Sequence, residues 1–346
     1  MAAALDQLVV LLPGLAGPDC DRRITGHIRQ RPAALDRLLT RGEPGAVTYR
    51  GWDAALGHQF GVPATATLPA AALSYLADSG RPPARYVLRA DPVHLRADQS
   101  RLHLFEGHSF FITQDEADAL VAGINALQTG QDWSLRAPHP QRWYLELATA
   151  PRMHTTAPAQ AAGRNIDDFL PRGEDAARWQ AVLTELQMLL HDHPVNRARE
   201  LRGEPVINSL WLWGGGVLPL TLAAQVDAVY ADDALALGLA RHAGIPRGRV
   251  PSAVETLLPV APAGQRALLV LDSLAWPAHY NDIEGWLTQL DQLETCWFAP
   301  LLAALGAGRI GTLVIEPCNG VRIQATRARL RGFWRRTRPF EERLKA

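Results

Sequence analysis

The sequence predicts an α/β protein: a mainly parallel sheet flanked by helices, with a smaller α+β module inserted into it. Three observations carry this reading. Leu8 to Leu12 is an unbroken apolar run closed by Pro13-Gly14, the pattern of a strand buried on both faces. Ala228 to Tyr230, Ala267 to Leu271 and Thr312 to Ile315 repeat it between helical stretches, and strands alternating with helices imply right-handed crossovers and parallel pairing. Between about 85 and 150 the pattern changes to short alternating stretches, the mark of antiparallel strands with one wet face.

In chain order, a helix is expected over Pro32 to Thr40, with Pro in its first turn and Leu35, Leu38 and Leu39 on one face. Ala46 to Thr67 reads as loop, Pro69 to Asp78 as a second helix, and Arg81-Pro82-Pro83 as a break. In the module, Tyr86 to Arg89, Val93 to Arg96, Leu102 to Phe105 and Trp143 to Leu147 read as strands. Thr113-Gln114-Asp115-Glu116 is a capping box opening a helix to about Leu127. Ala157 to Arg164 reads as a return linker.

Glu174 to His191 has apolar residues at helical spacing and delivers the chain to His191–Gly216, the stretch on which the rest is organised. Pro194 ends the helix before it. An apolar run with Trp211 and Trp213 then meets Gly214, Gly215 and Gly216, where a backbone without Cβ lets a ligand approach. The plainer reading is a strand-to-loop transition with both tryptophans in the core. Helices are expected again over Ala231 to His242 and Ile283 to Leu305.

Lys+Arg and Asp+Glu both number 35 over 346 residues, so no overall charge draws the chain to nucleic acid or membrane. Cys20, Cys296 and Cys318 form no CxxC pair and fit a reducing compartment. Asp6 interrupts the first apolar residues and no basic segment precedes them, which favours a strand over a signal peptide. No apolar run reaches the ~18 residues of a membrane span, so the cytoplasm is expected. Lys345 is the single lysine. The tail interleaves Arg327, Arg329, Arg331, Arg335, Arg336 and Arg338 with Leu330, Phe333, Trp334 and Phe340. Such a segment either meets nucleic acid or an anionic surface or docks its apolar side on its own domain, and the neutral whole favours docking.

The sequence has no Walker A loop, GxGxxG, HExxH or GxSxG. His103/His108, His139/His154 and His191/His193 are the only histidine groupings, and none has the convergence a metal needs. Neither metal nor cofactor is expected.

HPVNRARELRGEPVINSLWLWGGG, from His193 to Gly216, resembles the HPxN…R…G…PxN…(W/R)GxG passage of archaeal-type cofactor-independent phosphoglycerate mutases of the alkaline phosphatase superfamily. Leu12-Pro13-Gly14-Leu15, Pro32 to Leu38, Ile112 to Ala117, Tyr230 to Gly244 and Ala278-His279 are similar to further segments of that family in the same order. The branch most resembled is that of proteobacterial RpfE-type regulatory proteins. The resemblance implies an alkaline phosphatase-like core split as 1–84 and 165–320 and an inserted cap at 85–156, and the arginine-rich tail takes up 321–346.

It also implies a Ser or Thr nucleophile between two divalent ions, and here the chain departs. Pro13 stands at the first-strand Asp, Trp52 at the nucleophile, Ala275 at a carboxylate of the DxxGH motif, and Pro317 and Cys318 at the closing Asp-His pair. His279 alone is retained and cannot hold two ions. The expectation is a degenerate, inactive mutase-like protein with a regulatory or ligand-binding role. A phosphorylated small molecule would be held by His193, Asn196, Arg197, Arg199, Asn208, Trp211, Trp213 and the Gly214–Gly216 backbone. The alternatives are a metal-dependent mutase or phosphatase with rearranged ligands among Glu316, Cys318, His279, Asp272 and Asp282, and nucleic-acid or anionic-surface binding through the tail.

Overall fold

The computed structural model describes residues 5–18, 28, 31–98, 101–107, 109–127, 132–161, 164–219, 221–261, 263–331 and 336–344. Cys20, His108, Phe333, Trp334, Arg335 and Lys345, singled out above, lie outside them. The chain forms two compact units, Met1–Leu68 with Thr221–Ala346, and Pro69–Leu220.

The first unit opens with β1 (Leu5–Leu11), α1 (Ala33–Arg41), β2 (Glu43–Ala46) and α2 (Trp52–His58). Val9 and Leu11 are as buried as Leu8 and Val10, so both faces of β1 are covered, as its unbroken apolar run requires. Each such side chain contributes roughly 1.5–3 kcal/mol. α2 departs from the loop expected over Ala46 to Thr67. Gly51, at φ +91°, turns the chain into it, a conformation closed to most residues, and the short glycine-containing segment shows no helical period of its own.

The second unit comprises α3 (Ala70–Ser79), β3 (Tyr86–Asp98), β4 (Arg101–Phe105), α4 (Gln114–Leu127), β5 (Trp133–His139), β6 (Arg142–Leu147), β7 (Met153–His154), α5 (Pro158–Ala161), β8 (Arg172–Gly173), α6 (Ala176–Asp192), α7 (Pro194–Leu201) and β9 (Ser209–Gly216). Its antiparallel sheet has the order β4-β3-β6-β5, with β9 also paired to β3. The predicted capping box is present: Glu116 Oε2 accepts from Thr113 N at 3.0 Å and Thr113 Oγ1 accepts from Glu116 N at 3.2 Å.

Two corrections arise here. The stretches at Tyr86 to Arg89 and Val93 to Arg96 are one strand, which Pro92 does not break. Val93 O accepts from Asn208 N, so odd-numbered β3 residues point their backbone at β9 and the missing Pro92 N–H faces the gap between the end of β6 pairing at Arg89 and the start of β4 pairing at His94. In addition, β9 pairs antiparallel with β3, placing α3, α6, α7 and β9 in the same unit as the module read at 85–156. One sheet face packs Leu88, Leu145 and Leu212 against Leu120 and Ile124 of α4 and Trp179 and Leu186 of α6.

The chain then returns to the first unit through β10 (Ala228–Tyr230), α8 (Ala234–His242), β11 (Arg247–Gly248), α9 (Val254–Leu257), β12 (Arg266–Val270), α10 (Ala275–His279), α11 (Ile283–Leu293), α12 (Ala299–Ala307), β13 (Ile310–Glu316), β14 (Val321–Thr326), α13 (Arg327–Leu330) and α14 (Phe340–Arg343). The sheet order is β11-β10-β12-β1-β13-β14-β2. β11, β10, β12, β1 and β13 run parallel, while β14 and β2 are antiparallel. The helix expected over Ile283 to Leu305 contains a π-helical turn at Glu294–Phe298, next to Pro300, whose ring cannot follow the regular ladder.

The tail docks on its own unit. Phe340 is 1% exposed and stacks on Trp286, and its N–H donates to Asp36 Oδ1 at 2.7 Å. Arg31 joins Asp36 to Glu341 across the same contact.

Candidate functional site

In an open α/β sheet, ligands bind outside the carboxyl ends of the strands. In the first unit this edge gathers the positions at which the resemblance places chemistry. Pro13-Gly14 follows β1, and Gly14, at φ +83°, lies so close to α10 that a Cβ there would meet Leu274 O at 2.4 Å and Ala275 N at 2.7 Å. Pro317 and Cys318 follow β13, and Cys318 O accepts from Gly51 N at 2.7 Å, bringing Trp52 at the start of α2 to the same edge. His279 ends α10 and is exposed.

These residues suit no divalent ion. Cys318 adopts φ +61°, and burial, then the Glu316 charge, push its thiol up to about 12, so it stays protonated. Glu316 is 1% exposed; burial raises its carboxyl, and its oxygens face Tyr49 Oη at 2.9 Å and Arg322 Nε at 3.5 Å. Burial, followed by Glu316, pushes the Tyr49 hydroxyl up as well. Asp282 caps α11 by accepting from Gly285 N at 2.9 Å. Desolvation followed by the Asp232 charge raises Asp272. Among the described residues no three His, Cys, Asp or Glu side chains converge as a metal site, and the rearranged set of Glu316, Cys318, His279, Asp272 and Asp282 forms none.

The second set, His193 to Gly216, lies in the other unit and acts there as a clasp between α6, α7 and β9. His193 Nδ1 accepts from Val195 N at 3.3 Å, capping α7, and burial lowers the ring's basicity. Asn196, 2% exposed, donates to Leu190 O and Ile207 O and accepts from Ile207 N. Arg199, 1% exposed, donates to Pro205 O at 2.8 Å, Glu116 Oε2 at 2.9 Å and Phe111 O at 2.9 Å. Asn208 binds Leu95 through both its N–H and its C=O, and the indoles of Trp211 and Trp213 donate to Thr156 O and Asp91 Oδ2. Arg197 is exposed, 3.5 Å from Asp192.

The glycines are explained by close packing. They continue β9 instead of opening a loop, and a Cβ on Gly215 would stand 2.3 Å from Tyr86 Oη, one on Gly216 2.5 Å from Pro69 Cβ. Apart from the exposed Arg197, the polar groups read as anion ligands are thus committed to protein partners, because this sequence must satisfy buried backbone between α6 and β9.

A polar network on the second unit's sheet went unread in the sequence. Arg89 and Asp91, 7% and 5% exposed, pair at 2.7 Å, with the Arg89 guanidinium between the rings of Tyr144 and Trp213 at 5.3 and 5.1 Å. Burial opposes the Arg89 charge, but Asp91 keeps its pKa raised. Asp78 accepts from both Arg142 and Tyr144. The available signal was period-2 placement: Arg89 and Asp91 share a face with Val87 and Val93.

Beside this network, burial, then the Asp91 charge, push Glu106 up to about 8, and burial, then Arg142, lower His139 to about 4. The raised acid holds its proton in the folded state, so stability falls with pH between its unfolded value and about 8. The lowered histidine acts oppositely from about 4 up to its unfolded value near 6.5. The two offset each other in mildly acidic solution, leaving a net loss from about pH 6.5 to 8. Urea midpoints of the Glu106→Gln variant should be flat across that interval, whereas the parent's should decline.

No family model matches the chain. It is 26% identical over 167 residues to a 2,3-bisphosphoglycerate-independent phosphoglycerate mutase of Methanosarcina mazei, a stretch covering 42% of this chain and 41% of the relative. A protein of the same description from Methanosarcina acetivorans is 32% identical over 107 residues, covering 30% and 27%. The chain therefore spans well under half the length of these relatives. A solved structure from Pyrococcus horikoshii superposes with a TM-score of 0.55 at 17% identity, covering 94% of this chain and 88% of that one, and shows the fold. Over part of its sequence, and at low identity, this α/β chain is thus related to the 2,3-bisphosphoglycerate-independent phosphoglycerate mutases.

Proposed function

We propose that this is a phosphoglycerate-mutase-like protein that has kept the core fold without two-metal phosphoryl transfer and serves a regulatory or ligand-binding role. One observation carries the reading: Pro13, Trp52, Ala275, Pro317 and Cys318 occupy the sheet edge at which the nucleophile and anionic ligands would stand, and no three metal-binding side chains converge among the described residues. Phosphoryl transfer needs an activated oxygen nucleophile and neutralised charge, and an indole, two prolines, a methyl group and a protonated thiol supply neither.

The RpfE-type branch belongs to the same reading, as does a cytoplasmic setting, with which the unpaired Cys296 and Cys318 accord. No helix among the described residues is long and apolar enough to cross a membrane. The clasp holds no ligand in this reading, since all its side-chain donors but the exposed Arg197 are occupied.

Metal analysis of protein purified without chelator, combined with turnover of 2- and 3-phosphoglycerate and p-nitrophenyl phosphate, tests it. Far less than one metal per chain and no turnover above the blank are expected. Stoichiometric manganese or zinc with turnover would refute it.

A further inference from the structure

Away from both sets of residues, the first unit carries a groove between α1, α12 and α13. Its cavity volume is about 540 Å³, with Leu302, Ala303 and Leu330 forming an apolar wall and Arg37, Arg327 and Arg331 on the rim. All three arginines are exposed, and among the described residues no carboxylate pairs with them. The nearby acids are already used: Asp36 and Glu341 bind Arg31, and Glu43 binds Arg329. The field is positive enough that, after burial, the Arg37 charge lowers Arg41. Arg41 donates to Leu330 O, so the groove's floor is tied to α1.

We propose that this groove binds a small phosphorylated ligand with an apolar or aromatic body. Guanidinium forks recognise phosphate oxygens in pairs, which a lone ammonium does not do, and here they flank a surface on which a nonpolar moiety can be desolvated. The volume lies in the range of small-molecule sites. Arg327 lies beside Gly308 at the carboxyl end of α12, where the helix dipole favours a cation by itself, so Arg37 and Arg331 are the diagnostic positions.

Calorimetry of the full chain in EDTA, with ATP as probe and pyrophosphate as the body-free comparison, tests the proposal. Saturable ATP heat is expected, weaker for pyrophosphate, and both should weaken with added salt. Arg37→Gln combined with Arg331→Gln should weaken ATP binding about tenfold or more, as loss of charged hydrogen bonds does. Ala303→Glu, which sets a carboxylate on the exposed helix wall without touching the core, should do the same with an unchanged melting midpoint. Absence of heat at millimolar ATP, indifference of binding to both variants, or retention on phosphatidylglycerol vesicles without ATP binding would each overturn it. EDTA makes the outcome independent of whether the sheet edge carries metal chemistry.

Discussion

Replacing Arg199 by alanine is expected to lower the unfolding free energy of the second unit by about 3–5 kcal/mol, the range for breaking a buried ion pair from one side. The guanidinium is 1% exposed and serves Glu116 and the carbonyls of Pro205 and Phe111 together. Its loss strands two part-buried carbonyls and leaves Glu116 to Arg202 and the Thr113 cap alone. Arg199→Lys should also destabilise, because one ammonium cannot reach three diverging acceptors. Urea unfolding followed by tryptophan fluorescence reads the change, with Trp179 and Trp211 inside this unit. If Arg199 were instead held for an anion, the variant would keep the parent's midpoint and lose only stabilisation by added phosphate.

The second large effect is expected at Gly14. Alanine there must adopt φ +83° and place its methyl group 2.4 Å from Leu274 O, a backbone atom that cannot rotate away. Conformational strain and overpacking together should cost about 2–5 kcal/mol. Gly244→Ala is the companion measurement: φ is +70° but nothing lies within 4 Å, so only the conformational cost of about 1 kcal/mol remains. Equal losses at the two positions would mean that the β1 turn and α10 do not approach this closely. The Trp286 indole, which donates to Gly14 O at 2.9 Å, reports the displacement by fluorescence.

The parallel core was legible because burial on both faces forces an unbroken apolar run, and Leu8 to Leu12 has one. The capping box was legible because both of its hydrogen bonds are local. What failed to show was anything decided at long range. The run ending in Trp213 announced a strand, yet nothing within it says that Trp213 lies opposite Arg89. Arg199 in a polar turn looks the same whether its fork meets a phosphate or Glu116, 83 residues away. The sheet edge reversed the difficulty: only the family resemblance gives Pro13, Trp52, Ala275 and Cys318 any significance, since no local pattern singles them out. The groove at Arg37 was out of reach, because α1, α12 and α13 are distant in sequence.

The place of β1 in its sheet bears on how the protein is made. Both hydrogen-bonding neighbours of this strand, β12 and β13, come from residues 266–270 and 310–316, whereas the second unit is continuous from 69 to 220. During synthesis the segment 69–220 can therefore fold first, while Leu8 to Leu12, made earlier, waits unmatched until β12 and β13 have been added. A chain interrupted before residue 266 would leave this apolar strand without either neighbour, and such a fragment should aggregate through it.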